Sequence, residues 1–379
     1  MVSSPTPAAP ALPLREDLRG EQPYGAPQLS VPVVLNVNEN PYPVAPEIVA
    51  DMADAVAAAA VGLNRYPDRE FLDLRADLAA FLLRESGAEL LPEQLWAANG
   101  SNEVMLHVLQ AFGGPGRTAL SFAPTYSMYP EYARDTLTDW VTGERRPAGS
   151  EDPFGVDPEH ACSQIRHHRP SVVLLASPNN PTGTALPLST VEAVLAEVAA
   201  LPAGGVVVVD EAYGEFRREG VPSALQLLPQ HPRLAVSRTM SKAFSLAGAR
   251  LGYLAASREF VDALRIVRLP YHLSAVTQAV ARTALRHSET LLARVDELRV
   301  RRDETVQWLR HNGFTVAESD ANFVLFGEFD DRHAVWQGLL DRGVLIRETG
   351  PAGWLRVSIG TAEEMQSFRT ALMEVVNEQ

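Results

Sequence analysis

The sequence predicts an α/β protein, built on a large, mainly parallel sheet with a smaller α+β domain towards its carboxyl end. Three observations carry this. Short apolar, β-branched runs recur at Val172–Leu175, Val206–Val209 and Leu234–Val236, with helical stretches such as Leu188–Ala200 between them. Runs that are apolar throughout suit strands buried on both faces, and intervening helices supply the crossovers that parallel pairing needs. After residue 274 the pattern changes. Ala275–His311 reads as one or two long helices, followed by strand-like Asn322–Phe326, Val344–Ile346 and Leu355–Ile359.

The remaining elements follow in order. Residues 1–13, rich in Pro, Ala and Ser, read as a flexible tail, and 14–44, punctuated by prolines and by Gly20 and Gly25, as an arm on the surface. Residues 45–274 form the expected large domain and 275–379 the small one. Ala45–Ala60 is helix-prone. Glu70–Arg84 places Phe71, Leu74, Leu78, Phe81 and Leu82 at helical spacing. The run Arg299–Asp303 reads as a solvated helix face.

Bulk properties narrow the function. A chain of 379 residues with 46% hydrophobic and 21% charged residues has the material for two to three packed domains and is not a disordered chain. A formal net charge of −14 argues against nucleic acid or anionic lipid as a partner, so an anionic metabolite would need locally gathered arginine. No apolar run of about 18 residues occurs, and the first residues lack the basic-then-apolar order of a signal peptide. The expected compartment is the cytoplasm. Cys162, the single cysteine, has no internal partner and reads as a structural thiol. No metal is expected.

The chemistry-bearing residues follow the apolar runs, where ligands sit in such sheets. Asn180 comes after the first run, Asp210 and Tyr213 after the second, Lys242 after the third. The amine of Lys242 could attack an aldehyde, although a Ser-Lys pair alone reads as a surface lysine. Asp210 could keep a pyridine nitrogen protonated or could simply cap a helix. Tyr213 could donate to a phenolate oxygen on the same ring. In Ser177-Pro-Asn-Asn-Pro-Thr-Gly183, two prolines and a glycine set a turn that would aim the Asn180 amide into the cleft.

An anion site is legible as well. Asn99-Gly-Ser-Asn-Glu103 precedes an apolar helical pattern, so the loop opens a helix whose free N–H groups favour an anion. Ser101 could alternatively be only an N-cap. Ser241 and Arg250 could complete the cradle. Tyr126 follows the strand Thr118–Phe122 and could stack on a planar ring or pack in the core.

Together these strings resemble the fold-type I aminotransferases, and more narrowly the histidinol-phosphate aminotransferase family. The resemblance runs from Pro23-Tyr24-Gly25 to Gly360-Thr361 and includes Leu35-Asn-Val-Asn-Glu-Asn-Pro41, Asn64-Arg-Tyr-Pro67, Asp210-Glu-Ala-Tyr213, Arg238-Thr-Met-Ser-Lys-Ala-Phe244, Ala247-Gly-Ala-Arg250 and Leu355-Arg-Val-Ser-Ile-Gly-Thr361. It implies pyridoxal 5'-phosphate as cofactor, held covalently by Lys242, which also moves the proton. It implies that Asp210 meets the pyridine nitrogen, Asn180 and Tyr213 the ring oxygen, and Tyr126 the ring face. Gly100, Ser101, Asn102, Ser241 and Arg250 would hold the phosphate, with Tyr66 reaching it from the other subunit of a homodimer.

For Arg356, Arg347 and Tyr24 the resemblance implies substrate binding, with histidinol phosphate and glutamate or 2-oxoglutarate as the substrates and histidine biosynthesis as the setting. Arg347 could also be a surface salt-bridge residue. An aromatic amino-acid aminotransferase is the alternative. Pro43 departs from the glycine common after Asn-Pro-Tyr in the family, which bears on the path of the arm.

Overall fold

The structure, a computed structural model, describes residues 12–378, so the expected tail lies, up to residue 11, outside it. The arm, largely exposed up to Val31 and buried in part beyond it, carries a two-residue strand, β1 (Val33–Val34), and leads into helices α1 (Pro46–Ala60) and α2 (Leu72–Ser86). Asp68 delays the start of α2. Its carboxylate accepts from the backbone N–H groups of Glu70 and Leu72 and holds those residues in a turn.

The large sheet follows as β2 (Leu95–Ala98), α3 (Ser101–Phe112), β3 (Thr118–Ala123), α4 (Tyr129–Asp135), β4 (Asp139–Glu144), α5 (Pro158–His168), β5 (Val172–Ala176), α6 (Leu188–Ala200), β6 (Val206–Asp210), β7 (Leu234–Thr239) and β8 (Gly252–Ala256). Its seven strands lie in the order β2-β8-β7-β6-β5-β3-β4. Neighbours from β7 to β4 pair in parallel, and β8 alone runs against both of its neighbours. Every residue of β5, β6, β7 and β8 is buried, which is why the sequence shows unbroken apolar runs there. Parallel pairing brings the carboxyl ends of β3, β5, β6 and β7 to one edge, so the loops that follow them face a common space.

After α7 (Arg258–Val267), the helical stretch expected over 275–311 is two helices, α8 (Ala275–Arg286) and α9 (Ser288–His311), divided at His287. Helix α8 packs along α1 and α2, whereas α9 reaches the second sheet. On packing, we propose the domain division at His287 rather than at residue 274. The small domain continues with β9 (Thr315–Val316), β10 (Phe323–Gly327), α10 (Arg332–Asp341), β11 (Val344–Leu345), β12 (Arg347–Glu348), β13 (Trp354–Ser358) and α11 (Ala362–Asn377). Strands β12-β13-β10-β9 form an antiparallel sheet. Strand β11 pairs instead with β1, Val33 opposite Val344, so the arm is built into the small domain.

One sequence expectation is corrected. Arg299–Asp303 is not a solvated face, because Arg302 is only 1% exposed and donates to the carbonyls of Phe216 and Ala321. Arg299 donates to the carbonyl of Glu215, and Arg301 to Tyr42 Oη and the carbonyl of Gly360. Helix α9 crosses the joint between the two sheets, where loop carbonyls lack ladder partners and arginines satisfy them instead. Cys162 is half-buried, with its Sγ against the carbonyl of Ala193, and burial pushes its thiol up, as suits an inert thiol. Among the described residues, no helix is long and apolar enough to cross a membrane.

Candidate active site

A cavity of about 1130 Å³ opens where the carboxyl edge of the large sheet meets the arm and the small domain. All three contribute to its wall. Asn180, Asp210, Tyr213, Ser241, Lys242 and Arg250 come from the carboxyl edge of the large sheet and the loops beyond it, Tyr24 from the arm, and Arg347 and Arg356 from the small domain.

Asp210 is the last residue of β6, and its position places a buried carboxylate on the cavity floor. Its Oδ2 accepts from Tyr129 Oη at 2.9 Å, while Oδ1 is buried with no hydrogen-bond partner among the described residues. Burial pushes this carboxyl up to about 6, against the Tyr129 hydrogen bond, which pulls it down. A buried acceptor without a donor is costly, and a cationic ring N–H is the group that would satisfy it. Little in the local sequence singles out Tyr129. Its only signal was a tyrosine at the head of a helix marked by Pro130 in the first turn.

Lys242 lies in the loop after β7 and donates to the carbonyl of Val37 at 2.9 Å. Desolvation lowers its amine to about 8, Arg356 and Arg250 push the same way, and Glu39 opposes them. The composition singles this residue out. Of the 33 Lys and Arg residues, Lys242 is the one lysine, so the chain uses arginine for every other cation. A guanidinium does not give up its proton, so only a lysine can present a neutral amine here. The surface-lysine alternative does not survive the placement.

The turn after β5 divides two tasks between adjacent asparagines. Asn179 is fully buried and braces the turn, donating to the carbonyl of Pro124 and to Thr182 Oγ1. Gly183 closes it at φ +82°, where a Cβ would come within 2.4 Å of Ser319 Oγ. Asn180 is left free to face the cavity. Its Oδ1 accepts from Arg356 Nη1, and its Nδ2 lies 3.5 Å from Tyr213 Oη.

Arg347 and Arg356 are directly opposite each other on β12 and β13, so their side chains share one face of the small sheet. Arg356 is buried, and desolvation lowers its guanidinium to about 10, with Arg347 adding repulsion. It donates to the carbonyl of Asn36 and lies over the ring of Phe323. Neither arginine is in an ion pair among the described residues, so the salt-bridge alternative for Arg347 finds no partner carboxylate there. Two facing guanidinium groups without a carboxylate leave a site for an anion. Tyr24 closes this end, its Oη accepting from Ser127 Oγ at 3.2 Å.

A second anion site lies at the other end. The N-cap of α3 is Gly100, at φ +84°, so Ser101 is the first helical residue and not the cap. A Cβ on Gly100 would sit 2.5 Å from Arg250 Nη2, and one on Gly252 would sit 2.1 Å from the Ser101 nitrogen. Only glycine lets the guanidinium and the neighbouring strand close on the helix start. Ser101, Asn102, Ser241 and Arg250 line the cavity, and Gly100 packs against the Arg250 guanidinium. Ser241 Oγ accepts from Thr239 Oγ1, a residue with no local sequence signal of its own, and from Arg250 Nη1.

Tyr126 lines the cavity half-buried, its ring edge-to-face with Tyr129 at 5.6 Å. Tyr66, unlike Gly100, neither lines the cavity nor backs a residue that does. It is 79% exposed and stacks on Tyr271 at 4.4 Å.

Comparison with known proteins gives a consistent picture. Residues 31–372 match the family model described as aminotransferase class I and II. A histidinol-phosphate aminotransferase from Thermobifida fusca is 62% identical over 96% of this chain and 95% of that one. The crystal structure of histidinol-phosphate aminotransferase from Sinorhizobium meliloti in complex with pyridoxal-5'-phosphate superposes with a TM-score of 0.78 at 24% identity, over 92% of each chain. A Thermus thermophilus aspartate aminotransferase mutant reaches the same TM-score of 0.78 at 25% identity, over 95% of this chain and 98% of that one. Fold alone therefore does not discriminate among substrates.

Proposed function

The chain belongs to the class I and II aminotransferases, among the histidinol-phosphate aminotransferases, and from that premise we propose that it exchanges an amino group between histidinol phosphate and 2-oxoglutarate in histidine biosynthesis. The observation that carries the substrate reading is the facing pair Arg347 and Arg356, which offers a dianion two forked donors where a carboxylate would need one.

When bound, pyridoxal phosphate supplies an electron sink that acidifies the substrate α-carbon. The unpartnered Oδ1 of Asp210, the amine of Lys242 and the glycine-lined helix start fit that group's ring nitrogen, aldehyde and phosphate. Asp210 holds the ring nitrogen protonated. Tyr213 and Asn180 donate to the ring oxygen, and Tyr126 covers a ring face. The α3 amide groups, Ser241 and Arg250 grip the phosphate. Lys242 would anchor the cofactor covalently, and its amine would then serve as the base that takes the proton from the substrate α-carbon. Arg356 receives the anionic end of either substrate, so glutamate and imidazole-acetol phosphate use the cavity in turn.

The same reading includes a homodimer in a cytoplasmic setting. Tyr66 would cross to the partner's phosphate site. The exposed Val61, Leu63, Ile266 and Leu269, with the Tyr66–Tyr271 stack, supply apolar surface of the kind a second copy covers.

Turnover on histidinol phosphate should exceed turnover on phenylalanine in kcat/KM, and a clear preference for phenylalanine would favour an aromatic amino-acid aminotransferase. Arg347→Ala should raise KM for histidinol phosphate by roughly 10- to 100-fold, the value of a charged hydrogen bond, and leave phenylalanine nearly untouched. Equal losses on both would put Arg347 outside the phosphate site. Cofactor capture by the apo-protein should also report the amine. Only neutral Lys242 attacks an aldehyde, so the rate should climb with pH and level off above about 8. Stopped-flow absorbance measures this directly, and a rate that falls with rising pH would exclude a protonated resting amine.

A further inference from the structure

Tyr213 does not stand alone beside the cavity, and its neighbours dictate where its proton points. A side-chain amide can offer either its oxygen or its NH₂, so the sense of Asn38 must be read from its bonds. The backbone N–H of Asn38 donates to Ser358 Oγ at 2.9 Å. The hydrogen of that hydroxyl is then free to reach Asn38 Oδ1, also at 2.9 Å. With its oxygen so engaged, Asn38 turns its Nδ2 to Tyr213 Oη at 3.0 Å. Asn180 is oriented by the same logic. Its Oδ1 is taken by Arg356, and its Nδ2 faces the same phenol oxygen. Two donors thus converge on Tyr213 Oη, and with no acceptor for the phenol hydrogen among the described residues, that hydrogen faces the cavity.

We infer that Asn38 is a positioning residue that turns the Tyr213 hydroxyl proton onto the ring oxygen of the bound cofactor, with Ser358 locking the sense of the Asn38 amide. The backbone at Asn38 agrees with this role. Asn38 is buried at φ +57°, a left-handed conformation that asparagine tolerates better than other side chains, and its carbonyl accepts from Asn322 Nδ2. The residue belongs to the arm, its lock to β13 and its target to the loop after β6. The aim of the phenol is therefore set jointly by three parts of the chain. A donor into the phenol oxygen also strengthens the phenol's own O–H bond to a further acceptor, because chained hydrogen bonds polarise one another.

The inference rests on the cofactor reading above, and one experiment separates the two. Visible absorption of the lysine-bound cofactor changes as the pair formed by the ring oxygen and the lysine nitrogen takes up a proton. A visible band in the loaded wild type tests the cofactor reading, and the pH midpoint of that band tests Asn38. A donor on the ring oxygen favours its anionic form and holds the midpoint down. Asn38→Gly, which suits the positive φ, should raise the midpoint by about half to one pH unit, in the direction of Tyr213→Phe. In the Tyr213→Phe background, Asn38→Gly should add no further shift. Ser358→Ala should raise the midpoint by a smaller amount, and Ser358→Thr should restore it. An unmoved midpoint in both Asn38→Gly and Ser358→Ala overturns the inference, as does a full Asn38→Gly shift without the Tyr213 hydroxyl. If Asn38→Gly does not load cofactor, the Ser358 pair decides the matter.

Discussion

Lys242→Ala should lower kcat by at least about 10⁴-fold, because it removes both the covalent anchor and the proton carrier. The expected loss exceeds about 5 kcal/mol of transition-state stabilisation, far more than any single contact elsewhere in the cavity supplies. The experiment is unusually clean, since the variant chain contains no lysine at all. Borohydride treatment of the loaded wild type should leave one stable cofactor label per chain, and the variant should carry none. The α-amino terminus is the only other primary amine. A label retained at wild-type stoichiometry would therefore assign the anchor to the terminus and remove Lys242 from the chemistry. Cofactor should still enter the variant non-covalently through the helix start and Arg250, so its loss of activity is not a loss of the site.

Asp210→Asn should cost about 10³-fold in kcat, comparable to deleting a preorganised donor at a developing charge. The variant keeps the shape and the Tyr129 contact but cannot hold a cationic ring nitrogen. Its pH behaviour separates it from a merely damaged protein. Burial raises the Asp210 carboxyl to about 6. The carboxylate is present above that pH and is lost as pH falls through it, so wild-type affinity for the cofactor should weaken below about 6. The asparagine variant should bind more weakly above pH 6 and show no inflection there. Cofactor fluorescence titrations at several pH values read both curves, and an inflection that survives in Asp210→Asn would assign the titration to another group.

The residues legible in the sequence share a local cause. Asn180, Asp210 and Lys242 each follow an apolar strand by a few positions, and a strand that must be buried on both faces announces its own end. The glycine at the α3 start was legible for the same reason, since a helix opening needs only its neighbours. The arginines of α9 show the opposite case. Their spacing looked like a wet face because charge alone was visible, and the loop carbonyls they satisfy lie 86 and 19 residues from Arg302.

By itself, then, the sequence determined the strand–helix alternation, the edge at which the chemistry gathers and the residue types available there. Each of these depends on hydrophobic periodicity and on turns spanning a few residues. Tertiary structure alone decided what those residues can do. Tyr129 meets Asp210 across 81 positions, Asn38 meets Tyr213 across 175, and Ser358 locks Asn38 across 320. The burial that moves Asp210 up and Lys242 down has the same origin, because desolvation is set by whichever distant segments close over a group. Hydrogen-bond direction and local dielectric are properties of the packed chain, and no window of sequence contains them.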